Sequence, residues 1–157
     1  MKNIFKLMAL FAFLFCLTSC DDDEPVIPTL EVTPANLNGT WELSEWNGAP
    51  LAEGTYCYIT FNRKEQTFEM YQKFDSMYAR YITGNFSIEV DPYLGSIISG
   101  DYDFGNGDWN NDYIVTDLLE SGSMIWTVKD DDSDVNKYVR CEKVPESIIE
   151  EAKTNKN

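Results

Sequence analysis

Four stretches of the chain alternate apolar and polar side chains residue by residue, a period that belongs to extended strands with one buried face. Cys57, Ile59 and Phe61 fall on one side of their run, with Tyr56, Tyr58 and Thr60 on the other. Phe68 and Met70 oppose Thr67, Glu69 and Tyr71, and Phe86, Ile88 and Val90 oppose Asn85, Ser87 and Glu89. Met124, Trp126 and Val128 oppose Ile125, Thr127 and Lys129. Further β-rich runs at 40–46, 78–83, 96–102, 113–118 and 137–143 complete the series. Turn-forming clusters separate them, among them Asn47-Gly48, Gly84-Asn85 and Ser121-Gly122, together with the Gly105–Asp108 and Asp130–Asp134 runs.

No helical pattern of 10–12 residues interrupts the strands, so parallel βαβ units are excluded. The spacing predicts an all-β fold: an up-and-down antiparallel meander that closes into a small barrel of eight or nine strands, since closure removes free edges. A short helix or tail is expected over 146–157. Pro145 can start it, Glu146, Glu150 and Glu151 crowd its first half, and Lys153 suits its end.

The chemistry available is narrow. The chain has no His, which removes imidazole acid–base catalysis, His-based triads and histidine zinc sites. No phosphate, nucleotide or zinc motif appears, so neither a cofactor nor an enzymatic activity is expected. The formal charge of −15 argues against nucleic acid, whose backbone demands a basic face.

At the N-terminus, Lys2 and Lys6 precede an apolar run from Leu7 to Leu17, followed by small residues. The run is too short to span a bilayer and has the architecture of a secretory signal peptide over 1–19. Leu17-Thr18-Ser19-Cys20 resembles the bacterial lipobox. That resemblance implies cleavage before Cys20 and acylation of its thiol, with two or more chains giving stable attachment to a membrane. Residues 20–35, with Asp21-Asp22-Asp23-Glu24 and Pro25, Pro28 and Pro34, read as an acidic tether. An acidic run behind the lipidated Cys resembles a surface-export signal of some Gram-negative lineages, and Asp at that position resembles an inner-membrane retention signal of others. The length of the run favours the outer membrane.

Gly39-Thr40-Trp41 opens the first strand and Tyr138-Val139-Arg140 lies on the last. The pair resembles the lipocalin signature, and residues 36–145 as a whole resemble the lipocalin-like domain of bacterial lipoproteins. The resemblance implies that Gly39, Trp41 and Arg140 close the barrel, with the Arg guanidinium over the Trp ring.

Cys57 and Cys141 are the two cysteines left in the folded region, and an exported domain could join them. Two buried free thiols are the alternative. Residues 101–112 carry carboxylates and amides at alternate positions, a pattern that could be weighed for calcium, but they lack the EF-hand order and read as a polar loop.

The inward side chains Ile59, Phe61, Phe68, Met70, Phe86, Ile88 and Trp126 would line any pocket. Two functions follow. One is non-catalytic binding of a small hydrophobic ligand at the cell envelope. The other is a filled barrel that contacts an envelope protein partner. Replacing Cys20 with Ala is expected to move the protein from the membrane fraction to the soluble one in a fractionation blot. Continued detergent-only extraction would refute lipid anchoring.

Overall fold

A computed structural model describes residues 27–74 and 76–154. The signal segment, Cys20 and the acidic run behind it lie outside the described residues. Among the described residues, no helix is long and apolar enough to cross a membrane.

Strand β1 (Gly39–Trp46) is followed by the two-residue β2 (Ala49–Pro50), then β3 (Tyr56–Asn62), β4 (Thr67–Lys73) and β5 (Arg80–Asp91). The second half comprises β6 (Gly95–Tyr102), β7 (Tyr113–Thr116), β8 (Ser123–Val128) and β9 (Asp131–Cys141). Every pairing is antiparallel, and apart from β2 each strand pairs with the next in sequence. Strand β9 then returns to β1, with Thr40 opposite Cys141 and Trp46 opposite Asn136. That pairing closes eight strands into a barrel and leaves β2 as a flap on β1.

Two elements differ from the sequence reading. Gly84-Asn85, expected as a turn, lies inside β5, which runs unbroken for 12 residues. A Cβ at Gly84 would collide with the Asp101 carbonyl and the Phe68 ring, so the glycine serves close approach between strands rather than reversal. The second difference concerns residues 29–37, most of which read as tether. Thr29 bridges to Leu119, and the Leu30 N–H donates to the Leu118 carbonyl at 2.6 Å. Leu30 and Val32 pack on the core. Thr33 then caps the short helix α1 (Pro34–Leu37) by accepting from the Asn36 N–H.

Helix α1 plugs one end of the barrel. Leu37 and Trp41 are fully buried there. The Trp41 Nε1–H donates to the Leu37 carbonyl at 2.8 Å, and the Arg140 guanidinium lies 4.2 Å from the centroid of the Trp41 ring. Arg140 Nη1 and Nη2 donate to the carbonyls of Asn38 and Asn36 at 2.6 and 2.7 Å. Gly39 stands at φ 115°, and a Cβ there would lie 2.8 Å from Arg140 Nη1, so both backbone and space require glycine. The last strand is thus tied to the first strand and to the plug by one side chain.

The C-terminal helix α2 (Glu146–Thr154) packs outside the barrel on β4 and β5. Glu151 accepts from Tyr56 at 3.0 Å and pairs with Lys73 at 2.7 Å, while Ala152 is buried beneath the helix. Substituting Arg140 with Met keeps the aliphatic stem but removes the cation–π contact and two charged hydrogen bonds. It is expected to lower stability by about 1–3 kcal/mol, read as a reduced denaturation midpoint.

Candidate functional site

The barrel interior is divided into a packed floor and an open cup. The floor is aromatic and buried. Phe61 and Phe86 meet edge to face at 4.8 Å, Phe61 reaches Trp126 at 6.1 Å, and Ile59, Ile98 and Met124 fill the remaining space with essentially no exposure. Above it, Trp126 contacts Tyr138 at 4.7 Å and Tyr113 at 5.2 Å. A cavity of about 1200 Å³ opens over this layer and continues across the rim near Thr83.

Leu43, Met70, Ile82, Tyr102, Tyr113 and Tyr138 line the cup, with Trp46 and Phe74 at its mouth. The phase of β1 explains how Trp46 reaches that position. A bulge at Ser44 breaks the register between Leu43 and Glu45, so Trp46 regains the inward side opposite Asn136. Ser44 itself donates to the Lys137 carbonyl at 3.0 Å.

The loop between β6 and β7 supplies the most unusual wall. Tyr102 N–H donates to the Gly107 carbonyl and Trp109 N–H to the Gly100 carbonyl, which folds the loop back on its own strand. The Trp109 indole then lies against Gly100, where any Cβ would collide with the ring, and packs on Phe68 at 5.1 Å and Trp126 at 5.8 Å. Its Nε1–H is buried without a hydrogen-bond partner among the described residues. Phe104 stands on the lip, 94% exposed at φ 64°, a backbone region rare for bulky residues.

The fold separates the seven side chains expected to line a pocket. Met70 lines the cup. Ile59, Phe61, Phe68, Phe86 and Trp126 are buried floor and core residues, and Ile88 is half-buried against that core. The pocket therefore begins one layer above the place expected for it, because the large rings at the narrow end fill the space they enclose.

Sequence reading missed Trp46, Trp109 and Asp134. Trp109 carries no periodic signal, since it lies in a Gly- and Asn-rich loop. Asp134 was legible: counting back in twos from Arg140 through Tyr138 and Asn136 reaches it. The Asp130–Asp134 run, read as a turn between strands, instead enters β9 at Asp131 and delivers Asp134 to the mouth.

The loop at 101–112 distributes its polar groups among local partners. Asp103 accepts from Thr83 Oγ1, Asn106 Nδ2 donates to the Asp103 carbonyl, and Asp112 lies 3.9 Å from Lys129. Among the described residues, no group of three or more acidic or Cys side chains is placed to hold a metal.

Cys57 and Cys141 are free thiols. Cys57 shares the inward parity of Ile59 and Phe61. Cys141 follows the inward Arg140 and therefore faces outward, beside Glu42. Opposite faces of one wall cannot be bridged without moving backbone, so the disulfide alternative gives way to two thiols. Burial pushes the Cys57 thiol up to about 12, with Tyr138 as its hydrogen-bond partner, and burial holds the Tyr138 hydroxyl well above its ordinary value. Burial and the Glu151 carboxylate push Tyr56 up to about 12, and burial and Glu69 do the same for Tyr81.

The model of the lipocalin-like domain family matches residues 37–126, from the plug to the middle of β8. The chain belongs to that lipocalin-like family, whose members are in general non-catalytic binding proteins. Comparison with curated proteins and with solved structures gives no match.

Each of the four raised groups binds its proton more tightly folded than unfolded. The stability they contribute is complete below the unfolded values near 9–10 and is lost as pH climbs through the folded values, about 12 for Tyr56, Cys57 and Tyr81. The melting temperature is expected to fall steadily over that alkaline window. At neutral pH, dithiothreitol should leave it unchanged, and a drop on reduction would contradict the free-thiol state.

Proposed function

We propose that this protein is a non-catalytic binding protein, lipid-anchored through Cys20 at the cell envelope, and that its cup takes a small, largely hydrophobic molecule. The observation that carries the reading is the cavity of about 1200 Å³ seated on a closed floor. A space of that order exceeds what core packing leaves by accident and accommodates a small organic ligand. Its walls combine broad ring faces with amide side chains and the charged groups of Arg80, Asp103, Asp108 and Asp134, which suits a molecule with an apolar body and polar contacts that orient it.

The outer face supports the same reading. Tyr58 donates to Glu42 at 2.7 Å and Tyr56 to Glu151, so two of the tyrosines that an interaction module would present are occupied within the chain. The signal-like segment and the lipobox-like Leu17–Cys20 support the envelope location, and the acidic run favours the outer membrane.

Native mass spectrometry of the purified protein, with an organic extract of the same sample, is expected to reveal a bound small molecule. A panel of hydrophobes should raise the melting temperature. Ile82→Trp, which fills the cup, is expected to abolish both signals while the fold survives. Phe61→Leu, which thins the floor, should lower stability by about 1 kcal/mol and leave binding intact. No bound molecule and no thermal shift would leave the filled interaction module as the function.

A further inference from the structure

The mouth of the cup carries unbalanced charge. Asp103, Asp108 and Asp134 line it against one guanidinium, that of Arg80. Asp103 is engaged at the rim by Thr83. Asp134 is different: it is half-buried on the inward side of β9, and one of its oxygens accepts from Trp46 Nε1 at 2.8 Å and Asn136 Nδ2 at 3.2 Å. Both donors are neutral. The ion pairs among the described residues are Lys73–Glu151, Lys129–Asp112 and Lys137–Glu45, and none involves Asp134. Its charge nevertheless reaches into the barrel, where it adds to the burial that keeps Tyr113 and Tyr138 protonated. Arg80 acts on the other wall, against Tyr102.

A carboxylate without a cation, met by the edge of the Trp46 indole and with Tyr113 and Tyr138 near enough to feel its charge, is a setting in which a positive group is favoured twice. It meets the charge directly, and it meets the negative face of each ring, most strongly where water is excluded. We propose that the cup selects an organic cation, a protonated amine or quaternary ammonium whose head sits by Asp134 beside Trp46, Tyr113 and Tyr138, with its apolar remainder directed towards Leu43 and Met70. This rests on the cup being a ligand site and adds the charge class of the ligand. An anion would meet three carboxylates and only Arg80 in return.

The test is calorimetric titration of the full chain with benzyltrimethylammonium, 3-phenylpropanol and 3-phenylpropanoate, which rank cation, neutral molecule and anion on similar skeletons. Salt at about 0.15 M screens the general attraction of an acidic protein for cations beyond roughly 8 Å. The cation is expected to bind at least about tenfold tighter than the alcohol, and the anion most weakly. Asp134→Asn keeps an acceptor for Trp46 Nε1. It should bring the cation down to the affinity of the alcohol and leave the alcohol unchanged. A wild-type protein that binds the alcohol as tightly as the cation overturns the inference while the binding function stands, and this ranking does not depend on any variant folding. An Asp134→Asn protein with wild-type melting and undiminished cation affinity overturns it as well. Failure of all three probes to bind overturns the ligand site itself.

Discussion

Without the pairing of β9 to β1, the first and last strands would be free edges of a curled sheet, and no interior would exist to divide into floor and cup. The hydrogen-bonded register from Thr40–Cys141 to Trp46–Asn136 makes the closure, and Arg140 secures its end. The guanidinium covers the Trp41 ring and holds two carbonyls of the plug, so removal of one side chain would loosen the wall and the floor together. The match to the family model stops at residue 126, before β9 begins. The strand that completes the container lies beyond it, on a stretch whose inward parity is set by Asn136, Tyr138 and Arg140.

Floor and cup arise from one rule applied to side chains of different size. In the floor Phe61, Phe68, Phe86 and Trp126 point inward and are buried, and their volume consumes the space. Two glycines make this packing tolerable. Gly84 lets Phe68 press against β5, and Gly100 lets the Trp109 indole lie flat on β6. Towards the open end Leu43, Gln72 and Ile82 stand among the rings of Tyr102, Tyr113 and Tyr138, and there the walls no longer meet. Cavity position therefore depends on where along each strand the inward side chains pack against one another. Composition alone carries no such information.

Alternation made the fold legible, and it placed most strands to within two residues, because a half-buried antiparallel strand leaves its period in the sequence. It failed where an inward position is not apolar or a glycine is not a turn. Gly84 looked like a reversal, since a Gly-Asn pair between β-rich runs usually is one; its actual role depends on Phe68 and Asp101, sixteen or more residues away in sequence. The pocket residues were assigned by parity without depth, which is why core and lining were merged. Depth is set by barrel tilt and register, quantities that no single strand carries. Trp109 was invisible for a related reason: its place depends on the Trp109–Gly100 and Tyr102–Gly107 backbone hydrogen bonds within an aperiodic loop.

The interior is also chemically quiet, and that bears on what the container can do. Cys57 and Tyr138 are the reactive groups nearest its centre, and burial keeps the proton on both far into the alkaline range. A thiol held up to about 12 is not a nucleophile at physiological pH, and with no histidine in the chain nothing adjacent can activate it. The charged groups of the site, Asp134 and Arg80 among them, stand at the mouth of the same cavity that Cys57 and Tyr138 line. Charge at the entrance and neutral rings within is the arrangement on which the proposed binding function rests.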